Sequence, residues 1–438
     1  MPPALLVALY AILGLLPVAI AAAQGASGSG LARELAAGTG LVALAMLLLQ
    51  FISSGRYEWL SGRAGIDHTM RFHQLAARAL TVLVLLHPLL FLVPAGGASW
   101  AEVPARAARL FTAPHLASGV LAWVLLLALV AMALLRNKLG LRYEGWRASH
   151  ALAALLVAVG GAHHAMTTGY YSASAWLAGY WWALLAFALG MLGYLWLVKP
   201  FVLLRSAYRV VSNEAIGHQI REIVLEPAAG RRIRYDAGQF AWVLLDQPPL
   251  TVLDHPFSIS SAPESQPELR LLVKARGDFT GALGALAPGA RAYLDAPHGN
   301  FSLRRRKGKS ITLLAGGIGI APVMGLLRHL QARRDPRPVS LLYGARNERQ
   351  LVHAGEIRGM AGAIDLQAHF FVDEPAAGWS GGVGELTPLA VHGAIRGNPA
   401  ECLAFLCGPT PMMLACARHL REAGVPRQQI VFERFEYD

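Results

Sequence analysis

Four positions for imidazoles open this sequence to chemistry. His73 and His87 lie fourteen residues apart in one apolar stretch; in another, His150 precedes His163 by thirteen residues and His164 by fourteen. In an α-helix, fourteen residues rise about 21 Å and return to within about 40° of the same face. Each stretch would then show two imidazoles on one side, separated by much of a bilayer's apolar depth. Imidazole suits iron, and low-spin haem takes two axial imidazoles in a dry pocket. Two such stretches face to face would hold two stacked b-type haems, one on His73 and His150 and one on His87 and His163 or His164. A regular helix favours His164; a kink or π-bulge near Gly160-Gly161 would favour His163. A single intramembrane histidine is often only a helix-to-helix hydrogen bonder, but four matched in spacing fit that role poorly. His68 and His115, at segment edges, read as interfacial.

The elements that must carry these residues are membrane-like. Of 438 residues, 55% are hydrophobic and 15% charged, against roughly 25% charged in ordinary soluble proteins. Six apolar segments run over residues 4–23, 36–52, 75–93, 115–135, 151–166 and 176–198. With their flanks, each is near the ~20 residues that cross a bilayer. The first could instead be a signal peptide ending at Ala21-Ala22-Ala23-Gln24, but it lacks a basic leading region. Arg56, Arg63 and Arg71 follow segment 2, Arg136, Lys138, Arg142 and Arg147 follow segment 4, and Lys199, Arg205 and Arg209 follow segment 6. By the positive-inside rule, the N-terminus, these loops and the second half of the chain are cytoplasmic. Segments 3 and 5 are then parallel, so His73 is level with His150 on the inner side. His87 is level with His163/His164 on the outer side. Pro88 would end or kink segment 3 there. Arg71, Arg78 and Arg147 suit either haem carboxylates or lipid phosphates. The net charge of +12 comes without a basic stripe interleaved with aromatics, which argues against nucleic acid as a partner.

From about residue 205 the composition becomes that of a soluble α/β protein. His255-Pro256-Phe257-Ser258-Ile259-Ser260-Ser261 alternates hydroxyl and apolar residues, an arrangement able to hold a ribityl chain and a phosphate. A strand ending at Lys274 leads to Gly277-Asp278-Phe279-Thr280, where Thr280 would cap a helix starting near Gly281. An apolar strand then runs into Gly316-Gly317-Ile318-Gly319-Ile320-Ala321-Pro322 and a helix, a turn that lets a dinucleotide pyrophosphate approach the backbone. Arg346, just past the next strand, is placed to contact a 2′-phosphate and so favour NADP over NAD. A later strand ends in Cys407-Gly408-Pro409-Thr410-Pro411. Cys402, Cys407 and Cys416 are spaced for neither a zinc site nor a disulfide framework and fit a reducing compartment.

Taken together, HPFSISS (255–261), GGIGIAP (316–322), CGPTPMM (407–413) and a terminal E-x-F (433–435) resemble the ferredoxin–NADP reductase superfamily. Preceded by the six segments and their histidines, the whole chain resembles the NADPH oxidase and ferric reductase superfamily. The resemblance implies a multi-domain fold: a six-helix transmembrane bundle (1–204), an antiparallel FAD-binding β-barrel (205–308) and an α/β NAD(P)H-binding domain (309–438). It implies that His255, Pro256, Phe257 and Ser258 bind the flavin, with Ser258 at the isoalloxazine edge. Lys274, Gly277 and Thr280 would sit near its diphosphate, and Gly316, Gly317 and Gly319 would line the nicotinamide nucleotide. Cys407 and Gly408, followed by Pro409, would face the nicotinamide. Phe435, or Tyr437 two residues later, would stack on the flavin.

The expected function is electron transfer from cytosolic NADPH through FAD and two haems to a small-molecule acceptor outside an inner cell membrane, with membrane lipid around the bundle and no obligatory protein partner evident. Oxygen, giving superoxide, is the favoured acceptor and a ferric chelate the alternative, because the Ala-rich loop at 94–114 offers little to bind an iron complex. Two features run against superoxide. Phe91 stands one turn after His87 where the resemblance leads one to expect an oxygen-holding histidine, and segment 2 lacks an arginine in its outer half.

Overall fold

A computed structural model describes residues 3–25, 30–59, 65–94, 99–136, 138–229, 232–251, 253–304 and 306–433. The chain divides into two compact units, residues 1–57 with 68–199, and residues 58–67 with 200–438.

Among the described residues of the first unit, six helices run 19 to 27 residues. They are α1 (Pro3–Ala23), α2 (Leu31–Leu49), α3 (Ile66–Leu92), α5 (Ala117–Leu135), α6 (Tyr143–Thr167) and α7 (Ala175–Gly193); a shorter α4 (Val103–Thr112) precedes α5. Among the described residues, five stretches are long and apolar enough to cross a membrane: Leu5–Ala23, Leu31–Ser53, His68–Leu92, Pro114–Leu135 and Ala175–Leu204. The remaining expected segment, 151–166, lies in α6, whose share of Glu144, Arg147 and three histidines makes it more polar than the others. Its buried face is small and apolar (Val157, Ala158, Ala162). Leu44, Ala45 and Leu48 of α2 and Trp181, Leu184 and Ala188 of α7 share a core with it.

Three local details differ from the sequence expectation. Pro88 does not end α3, which continues to Leu92. No π-bulge interrupts α6 at Gly160-Gly161; the π-turn is at Tyr194–Val198, after α7. Helix α2 begins at Leu31, five residues before the apolar run, so it includes Arg33 in its first turn.

Among the described residues, the second unit holds two sheets. The first is antiparallel, in the order β4-β3-β6-β1-β2-β5. Its strands are β1 (Ala207–Gly217), β2 (Ile220–Pro227), β3 (Phe240–Leu245), β4 (His255–Ser258), β5 (Leu269–Lys274) and β6 (Arg291–His298). The two edge strands meet through a bridge between Ile259 and Leu271 and a 2.8 Å bond from Ser260 N–H to the Arg270 carbonyl. That closure leaves inward residues such as Val210, Ile223, Val243, Leu271 and Leu294 as one core, as alternation in a curled sheet requires. The second sheet is parallel, in the order β10-β9-β8-β7-β11-β12. Its central strands, β7 (Ser310–Gly316), β8 (Val339–Ala345) and β11 (Cys402–Cys407), are buried almost throughout, as expected for strands covered on both faces. The remaining strands are β9 (Leu366–Val372), β10 (Gly382–Val383) and β12 (Ile430–Phe432).

Candidate redox sites

In the helical unit the histidines meet level for level, as parallel α3 and α6 require. The ring centroids of His73 and His150 are 6.4 Å apart. That separation leaves room for one metal atom between two rings at imidazole–metal bonds of about 2.0–2.1 Å. His73 Nδ1 lies 3.1 Å from the Ser53 hydroxyl, and Gln50 donates to the His73 carbonyl at 3.1 Å. The short 3₁₀ turn Gln50–Ser53 that ends α2 thus fixes the ring from behind. His150 Nδ1 is buried without a hydrogen-bond partner, and the Trp146 ring lies 5.4 Å from its own. Arg71 and Arg78 are exposed, while Arg147 is half-buried with its guanidinium 5.6 Å over the Tyr143 ring.

At the other level, His87 and His164 both line a cavity of about 680 Å³. His87 Nδ1 bonds the Ala36 carbonyl at 2.7 Å, and His164 Nδ1 the Thr168 hydroxyl at 2.8 Å. Either bond fixes the ring's orientation and leaves Nε2 for a ligand. Two glycines make room for the rings. A Cβ on Gly40 would stand 2.5 Å from His87 Nδ1, and one on Gly119 2.6 Å from His164 Nδ1. His163 is exposed and bonds the Ser118 hydroxyl at 3.0 Å; it does not line the cavity. Midway between the two levels, seven residues from each histidine of its helix, Leu80 and Val157 are buried in one apolar cluster with Ala122 and Leu126.

The same cavity is lined by Phe91, Arg33, Arg106, Arg109 and His115. Phe91 lies edge-on to His87, with centroids 5.3 Å apart. The loop at 94–114 is therefore not bare of ligand-binding groups. Its helix α4 carries Arg106 and Arg109 into the cavity wall, and the early start of α2 adds Arg33. A composition count of the loop missed this because only helical spacing puts two of its arginines on one side.

In the antiparallel sheet, His255 stacks on Phe279 at 3.8 Å and 18°, with Phe257 6.4 Å from the same ring. Phe279 was not among the expected site residues; an aromatic inside the G-D-F-T turn was the available signal. Pro256 is half-buried between them in β4, and Ser258 is buried at its end. Ser260 and Ser261 are not free for a ligand as expected. Ser260 Oγ donates to the Arg270 carbonyl at 3.0 Å; Ser261 Oγ accepts from Arg270 N–H at 3.1 Å and lies 3.0 Å from the Tyr235 hydroxyl. Their hydroxyls close the sheet instead. Lys274 is half-buried at the end of β5, and Gly277 is exposed with open space on its Cβ side. The helix there begins at Asp278, not Gly281, and Thr280 lies inside it, accepting from Arg276 and Gly277 N–H at 2.9 and 3.2 Å.

In the parallel sheet, the turns after β7 and β11 touch. A Cβ on Gly316 would meet Met412 Sδ at 2.6 Å and one on Gly408 the Gly316 backbone at 2.9 Å, while one on Gly319 would overlap the Cys407 carbonyl. Gly317, at φ +53°, is the glycine of this turn with open space beside it. Pro322 is buried in the first turn of the helix Ile320–Arg333, where its missing N–H costs no bond. Cys407 is buried at the end of β11 and Pro409 exposed beyond it. The three cysteines are buried and unlinked, and burial pushes the Cys416 thiol up to about 11. Arg346 is exposed and paired with Glu374 at 3.0 Å, so a 2′-phosphate would compete with a carboxylate for it. Phe435 and Tyr437 lie outside the described residues. Glu433, two residues earlier, is 3% exposed and accepts the Asn300 N–H.

Between the two sheets of this unit lies a charged cluster. Arg328 holds Glu356 through two bonds of 2.7 and 2.8 Å and donates to the Ser260 carbonyl at 2.9 Å. His353 lies 2.9 Å from Glu356 and 3.2 Å from Glu222, which also pairs with Arg270 at 2.9 Å. Burial alone would raise both glutamates. The Arg328 and His353 contacts outweigh it and hold Glu356 at about 2, and His353 with its arginine neighbours keeps Glu222 below the ordinary range. Burial alone would lower His353, and its two carboxylates hold it above its ordinary value.

Comparison with known families agrees with this division. Residues 39–161 match a family described as ferric reductase like transmembrane component. Residues 216–290 match an FAD-binding domain and residues 313–418 an oxidoreductase NAD-binding domain. The reductase component of propane 2-monooxygenase from Mycolicibacterium goodii is 29% identical over 231 residues, 50% of this chain and 66% of its own length. Ferredoxin–NADP reductase B of Sorangium cellulosum is 28% identical over 239 residues, 52% of this chain and 96% of its own. A flavohemoglobin structure from Malassezia yamatoensis aligns with 92% of this chain and 98% of its own at TM-score 0.51 and 18% identity, a likeness of fold.

Proposed function

From a chain that joins a ferric reductase-like transmembrane component to FAD-binding and NAD-binding domains, and so is an NAD(P)H oxidoreductase, we propose a relay that carries electrons from cytosolic NADPH across the inner cell membrane. The observation that carries this reading is the pairing of His73 with His150 and of His87 with His164 at two levels of one helix pair. FAD, when bound, turns one hydride into two single electrons, and haem passes them singly.

The chain's own residues do the positioning. Ser53 and Gln50 hold His73, and the Ala36 carbonyl and Thr168 hydroxyl hold His87 and His164, so three of the four imidazoles are oriented before any iron arrives. His150 Nδ1 lacks a partner inside the bundle, and Gly40 and Gly119 keep the rings clear of α2 and α5. These features suit two bis-imidazole haems. Leu80 and Val157 keep the space between the levels dry. On the soluble side, His255, Phe257 and Phe279 offer an aromatic face suited to a flavin, and Gly317 leaves backbone open for a nucleotide. The favoured acceptor on the outer side is oxygen, giving superoxide; the arginines in the His87–His164 cavity favour the second reading, a metal chelate.

The test is spectroscopic. NADPH added under nitrogen to the purified chain should shift the Soret and α bands, at two haems per chain. A preparation without haem absorbance, or haem that NADPH leaves oxidised, would sink the relay.

A further inference from the structure

Strand order in the parallel sheet reverses between β7 and β11, and the glycine turn Gly316–Gly319 follows β7. In such sheets a dinucleotide lies across the reversal, and residues just past the second strand read the adenosine ribose at its 2′ position. Here that strand is β8: Gly344 pairs with Gly316, and Arg346 stands two residues beyond. Glu374, two residues past β9, accepts from Arg346 Nε at 3.1 Å and from its Nη2 at 3.0 Å. The backbone clips this carboxylate in place. Glu374 N–H donates to the Arg346 carbonyl and Ala376 N–H to the Glu348 carboxylate, each at 2.8 Å. Asp373 adds a second negative charge within electrostatic reach of Arg346. The two clipped segments, 346–349 and 373–376, together carry two arginines and three acids. A site shaped for a phosphate alone would gather cations and keep carboxylates away.

We propose that Glu374 is a specificity residue that makes the nucleotide site accept NADH alongside NADPH. NADH brings a 2′-hydroxyl, from which a fixed carboxylate accepts a hydrogen bond. NADPH brings a phosphate of about two negative charges. That phosphate must take Arg346 from Glu374 and then sit beside Glu374 and Asp373. Arginine and acid thus favour opposite nucleotides, and their pairing brings the two affinities together. Both nucleotides carry the same nicotinamide, so the choice acts on binding and leaves hydride transfer to the flavin unchanged. The proposal rests on the nicotinamide donor of the relay reading and asks nothing of the haems.

The test uses the full FAD-loaded chain, as wild type and with Glu374→Gln, Arg346→Gln or both. Two measurements are made: calorimetric binding of 2′,5′-ADP and of 5′-AMP, and the concentration dependence of flavin reduction by NADPH and by NADH under nitrogen. The wild type should take electrons from both donors, at half-saturating concentrations of the same order. Glu374→Gln keeps the backbone clip and removes only the charge. It should tighten 2′,5′-ADP and NADPH on the order of threefold, the scale of an exposed ion pair, and weaken 5′-AMP and NADH. The limiting rates of flavin reduction should not move. Arg346→Gln should weaken 2′,5′-ADP and spare 5′-AMP, and in the double variant the gain from losing Glu374 should shrink. A wild type that NADH does not reduce, a Glu374→Gln that moves both adenosine ligands in one direction or neither, or an altered limiting rate would each overturn the proposal. Should neither donor reduce the flavin, the donor reading of the relay falls, while the adenosine-nucleotide titrations still decide the role of Glu374.

Discussion

At Gly40 in the helical unit and at Gly319 in the sheet-bearing unit a side chain would collide, yet the neighbours differ. At Gly40 the neighbour is the end of a side chain, the His87 ring, at the wall of a large cavity. At Gly319 it is the Cys407 carbonyl and the Gly408 backbone. The helical unit uses small residues to leave room for side chains at the wall of a cavity. The sheet-bearing unit uses them to bring two backbone turns into contact, and it gathers its buried charges into a dense cluster. One unit organises volume and the other organises contact, so the same kind of substitution should fail differently in each.

The largest expected effect separates the histidines. His164→Ala and His87→Ala should each remove one of two haems, whereas His163→Ala should keep both, as counted by pyridine haemochrome per chain. Loss of haem on His163→Ala alone would move the ligand to the exposed neighbour and break the cavity's claim to be the outer site. Next come the glycines. Gly40→Ala should displace the His87 ring and lower haem content while FAD content and thermal unfolding of the sheet-bearing unit stay unchanged. Gly319→Ala forces backbone apart, an overpacking cost of about 1–3 kcal/mol. That corresponds to a fall of roughly 2–10 °C in the sheet-bearing unit's melting temperature, with haem content unmoved. Matching phenotypes in the two variants would erase the distinction between room and contact.

Much of this was legible in sequence because periodicity carries it. Histidines fourteen apart must share a face if the helix is regular, and α6 is regular, which is why the face argument for His164 agrees with the cavity and the bulge at Gly160-Gly161 does not occur. The strand-turn-helix motifs gave the two sheets. What sequence could not carry is partner identity across space. Ser260 and Ser261 looked available until the strand opposite, with Arg270 and Tyr235, took their hydroxyls. Arg346 looked free until Glu374 came beside it from 28 residues on. Each of these depends on a tertiary neighbour, and no local pattern encodes one.

The smallest effect concerns the charge cluster of the contact-built unit, and it has a definite sign. Glu222 and Glu356 are held below the ordinary glutamate value of 4.5, so their stabilisation is present above that pH and is lost as the pH falls through their folded values. His353 is held above its ordinary 6.5, so its share is full below that pH and is lost as the pH rises through its folded value. The cluster is therefore strongest between about 4.5 and 6.5. Glu356→Gln removes both the Arg328 fork and the His353 contact, and should lower the temperature of FAD release from the intact chain by a few degrees at pH 5.5. The gap should narrow toward pH 3 and again toward pH 8.5. Glu356 is itself partly exposed, its side chain 38% accessible, so water screens the pair and the effect stays modest. Haem release from the helical unit should show no such dome, because none of these groups belongs to it. A matching dome there would mean that the two units share their titrating groups, and the contrast between them would have to be redrawn.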